Sequence, residues 1–176
     1  MSTLKVETIS HTNNTTGLTI DSSGRVLTPA RPAFSVKRIN SGGGTDLSGH
    51  ITFNTVTANV GSCWDGTNKF QAPIAGVYFF SFVGFTCSSG GNAQADNTAV
   101  KAYIEQDTDS SFGSPSMVAS TYTYIFGTVG FFNVACSGVA SLVANEYVRV
   151  NIGAGHIYTS TLASHYPPIF SGFLIG

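Results

Sequence analysis

The side chains able to carry covalent or metal chemistry are few and scattered. Four histidines stand at positions 11, 50, 156 and 165, and none falls in a His-x-x-x-His spacing that would aim two imidazoles at one metal ion. The three cysteines, Cys63, Cys87 and Cys136, have neither a metal-ligand nor a redox spacing. Their odd number leaves at least one outside any disulfide framework, so buried free thiols are the better reading. There is no Gly-x-Ser-x-Gly elbow for a serine nucleophile and no phosphate-cradling glycine loop. Nothing in the sequence sets two carboxylates facing each other across a glycosidic bond. A triad whose members lie far apart along the chain leaves no spacing to find. The expectation is a protein that is not an enzyme, with no catalytic residue, cofactor or metal. His156, Tyr158, His165 and Tyr166 could line a saccharide-binding surface near the last loop, although isolated aromatics of this kind more often pack or sit in interfaces.

Charge is as scarce as chemistry. Charged residues make up 10% of the 176, against roughly 25% in an average soluble protein. The formal net charge is −1, so no basic stripe exists to neutralise nucleic-acid phosphates or to hold an anionic membrane surface. The opening MSTLKVET has no apolar run of the kind a secretory signal needs, and Sec export is not expected. The two overlapping sequons at Asn13 and Asn14 therefore read as ordinary polar positions. Phe70 to Cys87 is uncharged and of roughly membrane-spanning length. Pro73, Gly76, Gly84 and the aromatics make it a buried strand rather than a membrane insertion.

The chain divides near residue 32. Residues 1–32 are Thr- and Asn-rich, with sparse apolar positions at Leu4, Val6, Ile9, Leu18, Ile20, Val26 and Leu27. That is too little apolar area for an independent core, and the segment reads as a docking arm ordered by a partner or by its own copies. Within it, Leu18–Ile20 and Arg25–Leu27 flank the turn sequence Asp21-Ser-Ser-Gly24 as a small hairpin. From Ala33 onward apolar residues alternate in short runs between Gly, Asn, Ser and Asp clusters, which predicts an all-β domain. The strands expected are Ala33–Ile39, His50–Val56, Asn59–Trp64, Lys69–Gln71, Gly76–Thr86, Thr98–Gln106, Met117–Phe126, Val129–Val143, Tyr147–Ile152 and Pro168–Ile175. Ten strands over residues 33–176 suit a jelly-roll β-sandwich.

One strand carries most of the functional argument. In Val77-Tyr-Phe-Phe-Ser-Phe-Val-Gly-Phe85 successive side chains point to opposite faces of a sheet. Tyr78, Phe80 and Phe82 make one apolar face; Val77, Phe79, Val83 and Phe85 make the other. Each aromatic left wet forfeits roughly 1.5–3 kcal/mol of burial, so the second face needs a cover. Ser110 to Asn145 and Val150 to Gly176 contain no Asp, Glu, Lys or Arg, so neighbouring strands share that need. Self-association through a sheet face, closed by cyclic symmetry, is one answer. A central strand covered on both sides by long loops is the other.

Phe53, Asn59, Trp64, Phe70, Gly76, Tyr78, Phe80 and Phe82, in that order and spacing, resemble the signature of the globular heads of the complement C1q family, trimeric jelly rolls related in fold to tumour necrosis factor. The Trp64 to Phe70 gap is one residue short, in the turn Asp65-Gly-Thr-Asn68. Phe170-Ser-Gly-Phe173-Leu-Ile175 is similar to the family's last strand, and Asn145–Val150 to the strand before it. The resemblance covers about residues 33–176. It implies a homotrimer of ten-stranded protomers, with Phe53, Trp64, Phe70, Tyr78, Phe79, Phe80, Phe82, Phe85, Phe170 and Phe173 packing the protomer cores and the threefold axis. Some relatives bind calcium near the apex; Asp107 and Asp109 are the suggestive pair here and read as turn formers.

Residues 4–9 and 18–26 resemble N-terminal segments of tailed-phage virion proteins, fibre-like proteins of marine and cyanobacterial phages in particular. The combined expectation is a virion structural protein, assembled in the host cytoplasm and displayed on the particle surface. It would be a capsid decoration or a short tail-fibre tip, held to capsid or tail proteins by its arm and adhering to host surface glycans. The competing readings are a glycan-degrading fibre tip and a secreted lectin-like or cytokine-like ligand.

Overall fold

Alternating apolar residues and turn-forming clusters produce strands throughout. The computed structural model describes residues 5–12, 16–28, 30–40, 45–93, 95, 97–127, 130–159 and 167–176, and holds thirteen strands and no helix among them. The first three, β1 (Thr8–Ser10), β2 (Thr16–Ile20) and β3 (Val26–Leu27), form a small antiparallel sheet of their own in the order β1-β2-β3. The β2–β3 turn is closed by Asp21, whose Oδ1 accepts from the backbone N–H of Ser23 at 2.9 Å and of Arg25 at 3.0 Å.

Ten strands follow: β4 (Ala33–Lys37), β5 (Thr45–His50), β6 (Thr55–Val60), β7 (Lys69–Gln71), β8 (Gly76–Cys87), β9 (Thr98–Asp107), β10 (Ser116–Ile125), β11 (Asn133–Leu142), β12 (Tyr147–Thr159) and β13 (Ile169–Leu174). They build a jelly roll of two layers. The first runs β11-β8-β13-β4-β6; the second runs β10-β9-β12, with β7 and β5 pairing successive parts of β12. The layers join where Thr86 and Cys87 of β8 pair with Ile157 and His156. Between them lie Phe34, Val36, Tyr78, Phe80, Phe82 and Phe170 from the first layer and Val100, Ala102, Ile104, Val148 and Val150 from the second, all buried. The stretch from Phe70 to Cys87 is thus β7, a turn and β8, and no helix among the described residues is long and apolar enough to cross a membrane.

Several expected boundaries move, each for a backbone reason. His50–Val56 is not one strand. Ile51 and Phe53 are buried as the alternation requires, but the backbone bonds go to three places: Ile51 N–H to Val150, Phe53 N–H to Thr67 and Asn54 N–H to Lys37. The Asn54 side chain then brackets Ile39, accepting from its N–H at 2.9 Å and donating to its carbonyl. Asn59–Trp64 is likewise broken, because the chain turns at Gly61 and Ser62, both at positive φ, leaving Trp64 a single bridge to Phe70. The long strand expected from Val129 begins at Asn133, since Thr86 takes Phe132 into a loop contact through both its backbone N–H and its hydroxyl; Val129 itself lies outside the described residues. β12 runs seven residues beyond Ile152 to Thr159. Gly155, at φ 71° with Ala99 and Val100 against its Cα, permits the bulge that a side chain would block.

Truncating Phe80 to alanine should cost about 3–5 kcal/mol, because it empties a fully enclosed site; urea denaturation followed by tryptophan fluorescence measures it. Phe82→Asp should abolish soluble expression by burying an unpaired charge, whereas Asp109→Asn on the surface should express as the parent does.

Candidate functional site

The inward aromatics make one continuous cluster. Phe34 touches Trp64, Phe70, Phe80 and Phe170 with ring centroids 5.0 to 6.3 Å apart. Phe53 packs edge-on against Trp64 at 5.8 Å, and Phe70 against Tyr78 at 5.2 Å. Phe53, Trp64, Phe70, Tyr78, Phe80, Phe82 and Phe170 are all buried inside one protomer. The Tyr78 hydroxyl donates to the Ile74 carbonyl at 2.8 Å, and burial raises its pKa. Phe79, Phe85 and Phe173 are placed differently, on the outward side of β8 and β13 and only partly covered.

That outward face is ordered by the strand register. Val139, Phe79, Phe173, Ala33 and Val60 lie opposite one another in one row across β11, β8, β13, β4 and β6. Ser137, Ser81, Ser171, Ser35 and Ala58 make the next, and Ala135, Val83, Ile169, Lys37 and Thr55 the third. Two mainly apolar rows thus flank a row of serines, with Lys37 the one formal charge in the three. Phe79 and Phe173 touch at 5.5 Å, yet Phe173 remains 48% exposed and Val139 56%. A solvent-facing sheet would carry charges there; this one carries an uncovered apolar surface.

The arm residues divide. Leu18 and Ile20 are half-buried within the small sheet and Val6 just before it, while Ile9, Val26 and Leu27 are exposed; Leu4 lies outside the described residues. The segment is tied to the jelly roll at Arg31, whose guanidinium donates to the Ile175 carbonyl at 2.7 Å, and at buried Pro32, whose carbonyl accepts from Leu174 N–H.

Elsewhere polar groups serve turns and pairs. Asp107 accepts from the N–H of Thr108 at 2.6 Å and of Ser114 at 3.1 Å, and Asp109 from the N–H and hydroxyl of Ser111. Those Ser111 bonds hold the Asp109 carboxyl below its ordinary pKa. The carboxylates are committed to folding their loop. His156 Nδ1 sits 2.7 Å from Asp46 Oδ2, an ion-pair distance with out-of-line hydrogen-bond geometry. Tyr158 packs edge-on against Phe131 at 4.9 Å. His165 and Tyr166 lie outside the described residues, so the four-residue surface is only half in view.

Residues 33–175 match the C1q domain family, covering most of the chain. The chain belongs to the C1q domain family. Among solved structures it is similar to the globular domain of zebrafish complement 1qA protein, at 18% identity and a TM-score of 0.52, covering 82% of this chain and 98% of that one. It is also similar to the Eiger TNF of S. frugiperda, at 13% identity and a TM-score of 0.57, covering 84% and 94%. At such identities the likeness speaks for the jelly-roll fold. No curated protein sequence matches. C1q- and TNF-like domains are generally non-enzymatic binding domains.

This C1q domain absorbs its short Trp64–Phe70 gap in a tight turn. Asp65 Oδ1 accepts from the N–H groups of Thr67, Asn68 and Lys69 at 2.8 to 3.1 Å, doing with one side chain what a longer loop would do with backbone. Sequence reasoning missed a buried ion pair. Arg149 Nε donates to Glu105 Oε1 at 2.6 Å, and each side chain is only 9% exposed. Asn151 donates to Glu105 Oε2 at 3.3 Å, and the Arg149 guanidinium lies 3.8 Å from the centre of the Phe112 ring. A signal was present: Arg149 is the single cation after residue 110, in an otherwise apolar strand, and such a residue requires a partner.

Glu105→Ala should cost about 3–5 kcal/mol by stranding the Arg149 charge, and Glu105→Ala with Arg149→Met together should cost less than Glu105→Ala alone; thermal melts of the three variants measure the difference. Burial pushes the thiols of Cys63 and Cys136 up to about 11 and that of Cys87 up to about 12. Native protein at pH 8 should resist a disulfide thiol reagent that labels all three after denaturation. Since the folded state holds these protons longer, stability should fall as pH rises above the ordinary thiol value of 9.0.

Proposed function

We propose that the chain is a non-enzymatic structural protein of a bacteriophage virion. Its C1q-like head forms a homotrimer on the particle surface, as a capsid decoration or a short tail-fibre tip, and residues 1–32 hold it to capsid or tail proteins. There the trimer adheres to host surface glycans, where three weak sites gain avidity from repeated ligands.

One observation carries the trimer: the charge-poor outward face of the β11-β8-β13-β4-β6 sheet. C1q and TNF domains form homotrimers, and a threefold axis along this face would bring Phe79, Phe173, Ile169 and Val139 of three copies together while the serine row pairs through hydroxyl hydrogen bonds. The arm supports the attachment. A sheet of strands three, five and two residues long with Ile9, Val26 and Leu27 exposed buries too little apolar area to stand alone in water, and copies or a docking partner would complete it. Its resemblance to N-terminal segments of tailed-phage proteins favours a virion as that partner.

Light scattering of the full chain at micromolar concentration should give three times the 18.4 kDa protomer mass, and Phe173→Asp should yield folded monomer. A wild-type monomer would defeat the trimer. Mass spectrometry of purified particles should find the chain, and its absence there would remove the virion reading.

A further inference from the structure

The outward side of the other sheet is built differently. Register sets Met117, Glu105 and Arg149 in one row across β10, β9 and β12. Ser120, Tyr103, Asn151 and His50 form the next, the last from β5. Over these rows the chain returning from the Asp107 loop leaves a cleft of about 170 Å³, lined by Tyr103, Glu105, Pro115, Ser116, Met117 and Asn151. Its floor holds a carboxylate nine-tenths buried. A carboxylate has about four acceptor positions, and Glu105 uses one on Oε1 for Arg149 and one on Oε2 for Asn151.

The charge balance selects the ligand. Glu105 is neutralised by Arg149, which Phe112 holds from the other side. Burial and then the Arg149 charge lower the pKa of His50, outweighing the 3.9 Å approach of Glu105, so the imidazole is neutral at pH 7. The lining of the cleft itself then carries no net charge to attract an ion. What remains is a strong hydroxyl acceptor, an amide beside it and an aromatic wall. Tyr103 lies directly on Gly153, where a Cβ would collide with the ring, so the ring is fixed against backbone. One register step away Tyr122 and Tyr124 stack at 6.4 Å and 17°, more than half exposed, with Lys101 Nζ 5.3 Å from the centre of the Tyr122 ring. Flat exposed aromatics beside convergent polar groups fit a ligand with hydroxyls on its edge and C–H groups on its face.

We propose that this cleft is a subsite for a neutral pyranose, with Glu105 and Asn151 taking adjacent hydroxyls, Tyr103 covering the ring face, and the Tyr122–Tyr124 strip carrying the next sugar units. This deepens the adhesive part of the reading above and rests on it. It moves the saccharide site away from His156 and Tyr158, which are engaged with Asp46 and Phe131.

The test is a titration of the ¹⁵N-labelled full chain with the methyl glycosides of glucose, galactose, mannose and N-acetylglucosamine, and with sialyllactose as the charged comparison. At least one neutral glycoside should shift the amides of Tyr103, Ser116, Met117 and Asn151 at millimolar concentration. Tyr103→Ala and Asn151→Ala should each weaken that binding roughly tenfold when measured at a temperature where the amide spectrum shows the variant folded, and Tyr158→Ala should leave it unchanged. Glycoside shifts centred on Tyr158 and His156 would overturn this site and leave adhesion standing. Binding of sialyllactose alone would overturn the neutral class. No shift with any sugar would overturn the site together with the adhesive function, leaving trimer mass and particle location to be decided by their own measurements.

Discussion

A β-strand presents its side chains to two sides, and a single sandwich core can cover only one of them. In β8 both sides are apolar. Tyr78, Phe80 and Phe82 meet the opposing sheet and are fully enclosed, while Val77, Phe79, Val83 and Phe85 face outward on a surface whose three central rows carry Lys37 as their one formal charge. The rest of the molecule is arranged around that asymmetry. The inner side collects a cluster of aromatic rings from β4, β7, β8 and β13, and the outer side is a surface that a second and third copy can complete. Apolar contact would supply attraction there without direction; the serine row between the two mainly apolar rows offers hydrogen-bonding groups that could fix register.

The second sheet follows the opposite rule. Its outward side holds Glu105, Arg149, Lys101 and Asn151 together with Tyr103 and the Tyr122–Tyr124 stack. In a chain this poor in charge, burying an ion pair is costly and contributes little net stability by itself. The pair is held on three sides, by Asn151, by the Phe112 ring and by the strands that carry it. Phe112 reaches the guanidinium from a backbone at φ 54°, a conformation unusual for a bulky side chain. Backbone strain and a buried ion pair thus occur together beside the proposed cleft.

The two faces divide the work of the proposed assembly. In it the apolar sheet would turn inward to hold copies together and the aromatic and polar sheet outward toward a ligand, so that each of three copies would present the same cleft. The small N-terminal sheet is joined to the head at Arg31 and Pro32.

Period-two alternation with turn-forming residues between runs was enough to read an all-β chain, most of its strands and the two-faced character of β8, because those properties depend on neighbours a few residues apart. The aromatic spacing from Phe53 to Phe82 likewise carried the family, since each ring fills a place in one core. Tertiary structure alone decided the rest. Ile51 and Phe53 alternate as a strand would, yet their N–H groups bond to separate elements, and only the packed layers show where those elements lie. Glu105 and Arg149 are 44 positions apart; they meet because β9 and β12 pair in one register, which a bulge beside Gly153 and Gly155 changes further along. Side-chain period is a local property of the backbone, whereas register is settled by the core as a whole, so the faces could be read from sequence and the cleft could not.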